Sequence, residues 1–193
     1  MENLDGLPVL LFEDQPALDR WLVDHHADSK GAWLKIAKKA IGLRSVTYAE
    51  AVETAIIYGW IDSQKRAFDE QYFIQKFTPR SAKSVWSRTN RDKALDLIKT
   101  GRMQPSGLRQ VEIAQANSEW DKAYEPQSRM QIPADLQAEL NRNPAAKSFF
   151  ATLNSANRYA VLYRLQSVRK PETRRARIRQ FIEMLTRHER LHP

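Results

Sequence analysis

The spacing of hydrophobic positions changes along the chain, and each change marks an element. Val9–Phe12 is a short apolar run that predicts a strand. Beyond it Leu18, Trp21, Leu22 and His25 recur at i, i+3, i+4, i+7, the spacing of one buried helix face, with Asp14 placed to cap it. Gly31 ends the connection, and over Ala32–Lys39 Leu34 and Ile36 alternate with Trp33 and Lys35, as in a half-buried strand. Thr47-Tyr-Ala-Glu50 spells a capping box. The helix it opens, Tyr48 to Tyr58, buries Ala51, Val52, Ala55 and Ile56 and is stopped by Gly59. Trp60–Lys65 and Gln71–Phe77 read as two strands joined around Phe68-Asp69-Glu70, an antiparallel hairpin ended by Pro79.

From Ser84 onward the period is helical. One helix runs about Arg88–Thr100, with Ala94, Leu95, Leu97 and Ile98 apolar and Gly101 at its end, and a second about Gly107–Asn117. Glu119–Ile132 is a polar connector containing Pro126, and the tail holds three or four short helices opened by Pro133, Pro144, Ser155 and Pro171. These elements predict an α+β fold: a small antiparallel sheet with helices, followed by an all-helical C-terminal part. The domain boundaries expected are 1–118 for the part with the hairpin, 119–132 for the connector and 133–193 for the basic helical domain.

The hairpin region is the most unusual in composition. Between Tyr58 and Ser87 stand two of the five tryptophans, two tyrosines and three phenylalanines, interleaved with charged and amide side chains. Alternation puts Phe73, Gln75 and Phe77 on one face and Tyr72, Ile74 and Lys76 on the other. An Asp62 withdrawn from water requires a partner, for which Lys65, Arg66 and Arg80 are the candidates. If these cations gather around Trp60, Tyr72 and Trp86, they form an aromatic-walled cationic pocket for a carboxylate, phosphate or nucleotide-like ligand. Salt bridges that merely stabilise the hairpin use the same residues.

Charge sharpens the division between the two parts. The net charge is +8 over 193 residues. Residues 131–193 carry 12 basic against 5 acidic side chains, whereas residues 1–130 carry 19 against 18. The tail therefore generates most of the positive field. Within it, Pro171 opens a helix with Glu172 in the first turn, where an acid suits the helix dipole. Arg174 and Arg177 lie one turn apart on one face and Arg175 and Arg179 on another, while Ile178, Phe181, Ile182 and Leu185 form the buried side. The arginines offer a face for phosphate or nucleic acid, or a solvated surface.

Other chemistry is limited by what is missing. Cysteine is absent, which excludes disulfides, thiolate metal sites and a cysteine nucleophile. No glycine-rich phosphate loop, HExxH or GxSxG occurs. His25 and His26 are adjacent, so their rings diverge on a helix. His188 and His192 have the spacing of a metal pair but stand at the chain end, where helices fray. No metal or cofactor is expected. The acidic N-terminus, with an apolar run of only Pro8–Phe12, does not resemble an export signal, and no stretch approaches the roughly 20 apolar residues of a membrane span. A cytoplasmic protein is expected.

The block Lys170-Pro171-Glu172-Thr173-Arg174, completed by Arg177-Ile178 and preceded by Asn154-Ser155-Ala156-Asn157-Arg158-Tyr159, resembles the YdeI/OmpD-associated, or bacteriocin-protection, family. Gly59-Trp60-Ile61-Asp62, Phe77-Thr78-Pro79-Arg80 and Ser84-Val85-Trp86-Ser87 resemble the N-terminal part of its longer members. The resemblance implies a compact bacterial or archaeal stress-resistance protein with a porin partner, from which this chain departs in showing no export signal. It transfers no catalytic residue. Three function classes follow: a module binding a small anion or a protein through the hairpin, a nucleic-acid-associated protein using the tail, or an enzyme with a site around Asp62, Lys65, Arg66 and Arg80.

Overall fold

A computed structural model describes residues 2–125, 130–168 and 170–192. The chain forms two compact units, Met1–Ala123 and Tyr124–Pro193. Pro126, in the expected connector, lies outside the described residues.

The first unit is built on a sheet of order β1-β2-β3-β5-β4, comprising β1 (Asn3–Leu4), β2 (Leu7–Leu11), β3 (Ala32–Ala37), β4 (Trp60–Ala67) and β5 (Tyr72–Pro79). The class is α+β as expected, but the sheet is mixed rather than antiparallel and has one strand more than the four expected. β1, which the apolar pattern does not show, turns into β2 at Asp5-Gly6, both at positive φ, a two-residue hairpin turn that this dipeptide favours. β2 and β3 are parallel, with Val9 opposite Trp33, because α1 (Gln15–His25) carries the chain back to the starting end of the sheet. The β3–β5 and β4–β5 pairs are antiparallel. Asp14 accepts the Ala17 N–H and caps α1; Thr47 and Glu50 exchange hydrogen bonds at the start of α2 (Tyr48–Ile57), as the capping box predicts.

One sheet face packs α1, α2, α3 (Arg88–Lys99) and α4 (Pro105–Ala116) over a core that includes Leu18, Leu22, Leu34, Ile56, Trp60 and Phe77. His25, expected on the buried face of α1, is exposed and lies against the Trp21 ring, with centroids 4.9 Å apart. On the other face Leu7, Val9, Trp33 and Ile74 form a second cluster. Strand β3 is therefore buried on both sides rather than one. Trp33 is fully buried: the Arg66 guanidinium lies 4.7 Å from its ring and Lys76 Nζ 5.8 Å, long stems covering an apolar surface. On α3, Leu95 and Ile98 are exposed and Ala94 and Leu97 are buried.

The second unit contains α5 (Ala134–Arg142), α6 (Pro144–Thr152), α7 (Ser155–Gln166) and α8 (Pro171–Thr186). Pro133, Pro144, Ser155 and Pro171 stand at the four helix starts, as expected. Leu136, Leu140, Phe150, Leu165, Phe181 and Leu185 are among the side chains of its own core. Leu191 and His192, beyond α8, are tied back to α7. Buried Asn157 accepts the Leu191 and His192 N–H groups on its side-chain oxygen (3.0 and 2.9 Å) and donates to the His192 carbonyl (3.1 Å). His188 stacks on Phe149 with ring centroids 4.9 Å apart.

Candidate functional site

The hairpin residues are not gathered into one pocket. In antiparallel pairing, opposed side chains share a face. Asp62 opposes Phe77 and Lys65 opposes Gln75, so both point to the helix-covered side with Trp60. Arg66 opposes Ile74, and Tyr72 opposes Ala37, which puts them on the other side. A bulge between Asp62 and Lys65 brings these two residues, three apart, to the same face.

Each of these residues has its own neighbours. Trp60 is buried in the core, donating Nε1–H to the His26 carbonyl (3.2 Å) and meeting Trp21 edge-on. The Tyr48 hydroxyl donates to Asp62 (2.6 Å), so a phenol and not a cation answers this carboxylate. Lys65 Nζ sits 4.0 Å from the centre of the Phe73 ring. Arg66 pairs with Asp5 (2.8 Å) and covers Trp33. Gln75 is buried. Arg80 is buried too, donating Nε–H to the Trp60 carbonyl (3.2 Å) and Nη1–H to the Val85 carbonyl (3.3 Å), with its guanidinium 3.7 Å from the Trp86 ring centre. It clamps the loop between β5 and α3. Trp86 in turn meets Trp120 edge-on, with ring centroids 5.0 Å apart.

Three of the four tail arginines, Arg174, Arg175 and Arg179, do converge. A groove of about 440 Å³ runs between α5 and α8, lined by Asp135, Ala138 and Glu139 on one helix and by Pro171, Arg174, Arg175, Ile178 and Arg179 on the other. The α8 positions follow i, i+3, i+4, i+7, i+8, one helical stripe. Arg174 is a structural wall. Its Nε and Nη2 grip both oxygens of Asp135, and its Nη1–H donates to the Leu165 carbonyl (2.6 Å), tying α8 to α5 and α7. The Arg174 hydrogen bonds hold the Asp135 carboxyl below its ordinary range despite partial burial. Glu139 is taken by Arg142 (2.6 Å). Arg175 and Arg179 are exposed and pair with no carboxylate among the described residues. Arg177 is half-buried and lies outside this groove.

A second concavity, of about 390 Å³, lies in the first unit and is lined by Gln15, Pro16, Asp19, Ile57, Tyr58, Arg102 and Gln104. The Tyr58 hydroxyl donates to Asp19 (3.1 Å); burial, with the Asp19 charge beside it, pushes the phenol up to about 12. Gln15 donates to Thr54 (3.1 Å), and Arg102 pairs with Glu53 (2.7 Å). Burial alone raises the Glu53 carboxyl, but Arg102, Gln15 and Lys93 together bring it below its usual value.

Two family models match the chain. One, described as a domain of unknown function (DUF8412), covers residues 10–110, about half of the sequence. The other, described as Bacteriocin-protection, YdeI or OmpD-Associated, covers residues 129–188. The chain belongs to the DUF8412 family and carries a YdeI or OmpD-associated segment. No curated protein and no solved structure matches it.

The tail block that carries the resemblance thus falls within the YdeI or OmpD-associated match. Gly59–Asp62, Phe77–Arg80 and Ser84–Ser87, which resemble the longer members, lie instead within the DUF8412 match. In this DUF8412 chain the cleft residues Asp19, Tyr58 and Arg102 escape sequence reasoning, because they come from separate elements and no motif links them. Asp135 escapes for the same reason, standing 39 positions from its arginine. Among the described residues no group of three metal-ligating side chains occurs, and no helix is long and apolar enough to cross a membrane.

Proposed function

We propose that the protein is a binding module whose helical unit takes an anion with an apolar part in the groove between α5 and α8. One observation carries this reading: exposed Arg175 and Arg179 are without carboxylate partners among the described residues and flank a floor made by Ala138, Pro171 and Ile178. Two guanidinium groups a turn apart suit a carboxylate or phosphate, and the floor suits a short hydrocarbon. The matched family's description names association with OmpD, and a protein segment that is both acidic and apolar has this same chemistry.

The hairpin is the weaker candidate, since its charged residues are divided between two faces and occupied by Tyr48, Phe73, Asp5 and the backbone. An enzyme using Asp62, Lys65, Arg66 and Arg80 meets the same difficulty. The nucleic-acid reading rests on the excess charge of residues 131–193.

Thermal shift with octanoate, acetate and short duplex DNA at low and moderate salt separates these readings. A ligand at about 100 times its dissociation constant adds about 2.7 kcal/mol, which moves the melting point by several degrees. Octanoate is expected to stabilise more than acetate, and the Arg175→Ala/Arg179→Ala variant to lose the effect. An octanoate shift unchanged in that variant refutes the groove. A shift from DNA alone, erased by salt, assigns the tail to nucleic acid.

A further inference from the structure

The concavity in the first unit has a different character from the arginine groove. Asp19 has a hydrogen-bonded phenol but no cationic partner among the described residues. Arg102, in the lining, spends Nη2 on Glu53, and its side chain has no other hydrogen-bond partner among the described residues. An acid and a base thus line one cleft without pairing with each other. Where two opposite charges line one cleft without neutralising each other, a ligand bearing both complementary charges satisfies them together.

The side chains are also held from behind. Tyr58, only 5% exposed, fixes one Asp19 oxygen. Fully buried Thr54 fixes the amide nitrogen of Gln15, which lines the cleft with Asp19. Glu53 fixes Arg102. Groups already ordered lose little freedom on binding. Pro16 and Ile57 add apolar wall, and a volume of about 390 Å³ falls in the range of small-molecule sites.

From this arrangement we infer that the cleft binds a free amino acid, its ammonium on Asp19 and Gln15 and its carboxylate on Arg102. The ammonium supplies three donors to the Asp19 carboxylate and the Gln15 oxygen, and the guanidinium offers parallel donors to the carboxylate. Gln104, also in the lining, is left to meet the ligand's side chain. All of the lining belongs to the first unit, so the site does not use the groove of the helical unit.

The test is a thermal-shift series on the full chain with the common L-amino acids one at a time, followed by titration calorimetry of the strongest. Its amide, lacking the carboxylate, and its N-acetyl form, lacking the ammonium, are each expected to bind about tenfold or more weakly, the loss of one charge-assisted contact. Asp19→Asn keeps an oxygen for the Tyr58 hydroxyl, so the unliganded melting point should hold while binding is lost. Arg102→Gln provides a second variant, expected to bind the free amino acid and its amide equally. The assignment falls if no free amino acid shifts the melting point, if the N-acetyl form binds as tightly as its parent, or if both variants bind like the wild type.

Discussion

At the scale of single residues, the arginines of α8 divide into those that hold the helices together and those that face outward. Arg174 grips Asp135 with two donors and Leu165 with a third, and both charged side chains are partly exposed. Exposed pairs contribute little, but a bidentate geometry with an added backbone bond lies at the upper end, about 1–2 kcal/mol for Arg174→Ala. The folded Asp135 carboxyl is held below its unfolded value. Its contribution is therefore complete above the ordinary carboxylate range and disappears as pH falls through the lowered native value. Asp135→Asn should be less stable than the parent by roughly 1 kcal/mol near neutrality. Urea melts at successively lower pH should show the two curves converging in acid. A difference that persists after the carboxyl is protonated would mean that Arg174 is not the cause.

At the scale of elements, the junction between α2 and β4 shows what local pattern reveals and what it does not. Gly59 has φ of +78°, and a Cβ there would meet the Ser106 carbonyl oxygen of α4 at 2.8 Å. Gly101 has φ of +69° with nothing within 4 Å. Alanine in the left-handed region costs about 1–2 kcal/mol, so Gly101→Ala should lose about that much. Gly59→Ala should lose more, by whatever α4 needs to move, and paired chemical denaturation of the two variants isolates that packing cost. Equal losses would show that α4 gives way freely.

The glycine as a stop signal was legible in the sequence, as were the capping box and the proline-marked helix starts, because each depends on neighbours within one turn. The parallel β2–β3 pair was not, since pairing is a choice between distant segments that both read as strands. The bulge in β4 was equally hidden, and it turns Lys65 to the face of Gln75 and Phe73. The shift decides that Lys65 and not Arg66 shares a face with Asp62; these two cations, adjacent in one strand, point to opposite faces in either register, which is why the expected pocket comes apart. The α8 stripe survived because helical spacing alone puts Arg175 and Arg179 along one side. What it could not supply was Asp135, whose pairing removes Arg174 from the set of available charges.

At the scale of the molecule, the excess charge and the α5–α8 groove both belong to the second unit, which has a core of its own. A segment of 60 to 70 residues buries only about 60% of its unfolded surface, so an autonomous fold of this size is marginal and leans on each large core side chain. Phe150, Phe181 and Leu185 are nearly or fully buried there, and the Arg174 clamp and the Asn157 tether join segments far apart in sequence. These features favour cooperative folding of the unit alone. A fragment of residues 124–193 is expected to give a helical circular-dichroism spectrum and a sigmoidal melt. Phe181→Ala, at about 3–5 kcal/mol for a buried aromatic truncation, should abolish that melt. If the fragment folds and octanoate stabilises it as it does the full chain, the anion site is intrinsic to the YdeI or OmpD-associated segment. A fragment that melts without a transition would instead make the first unit part of what folds the second.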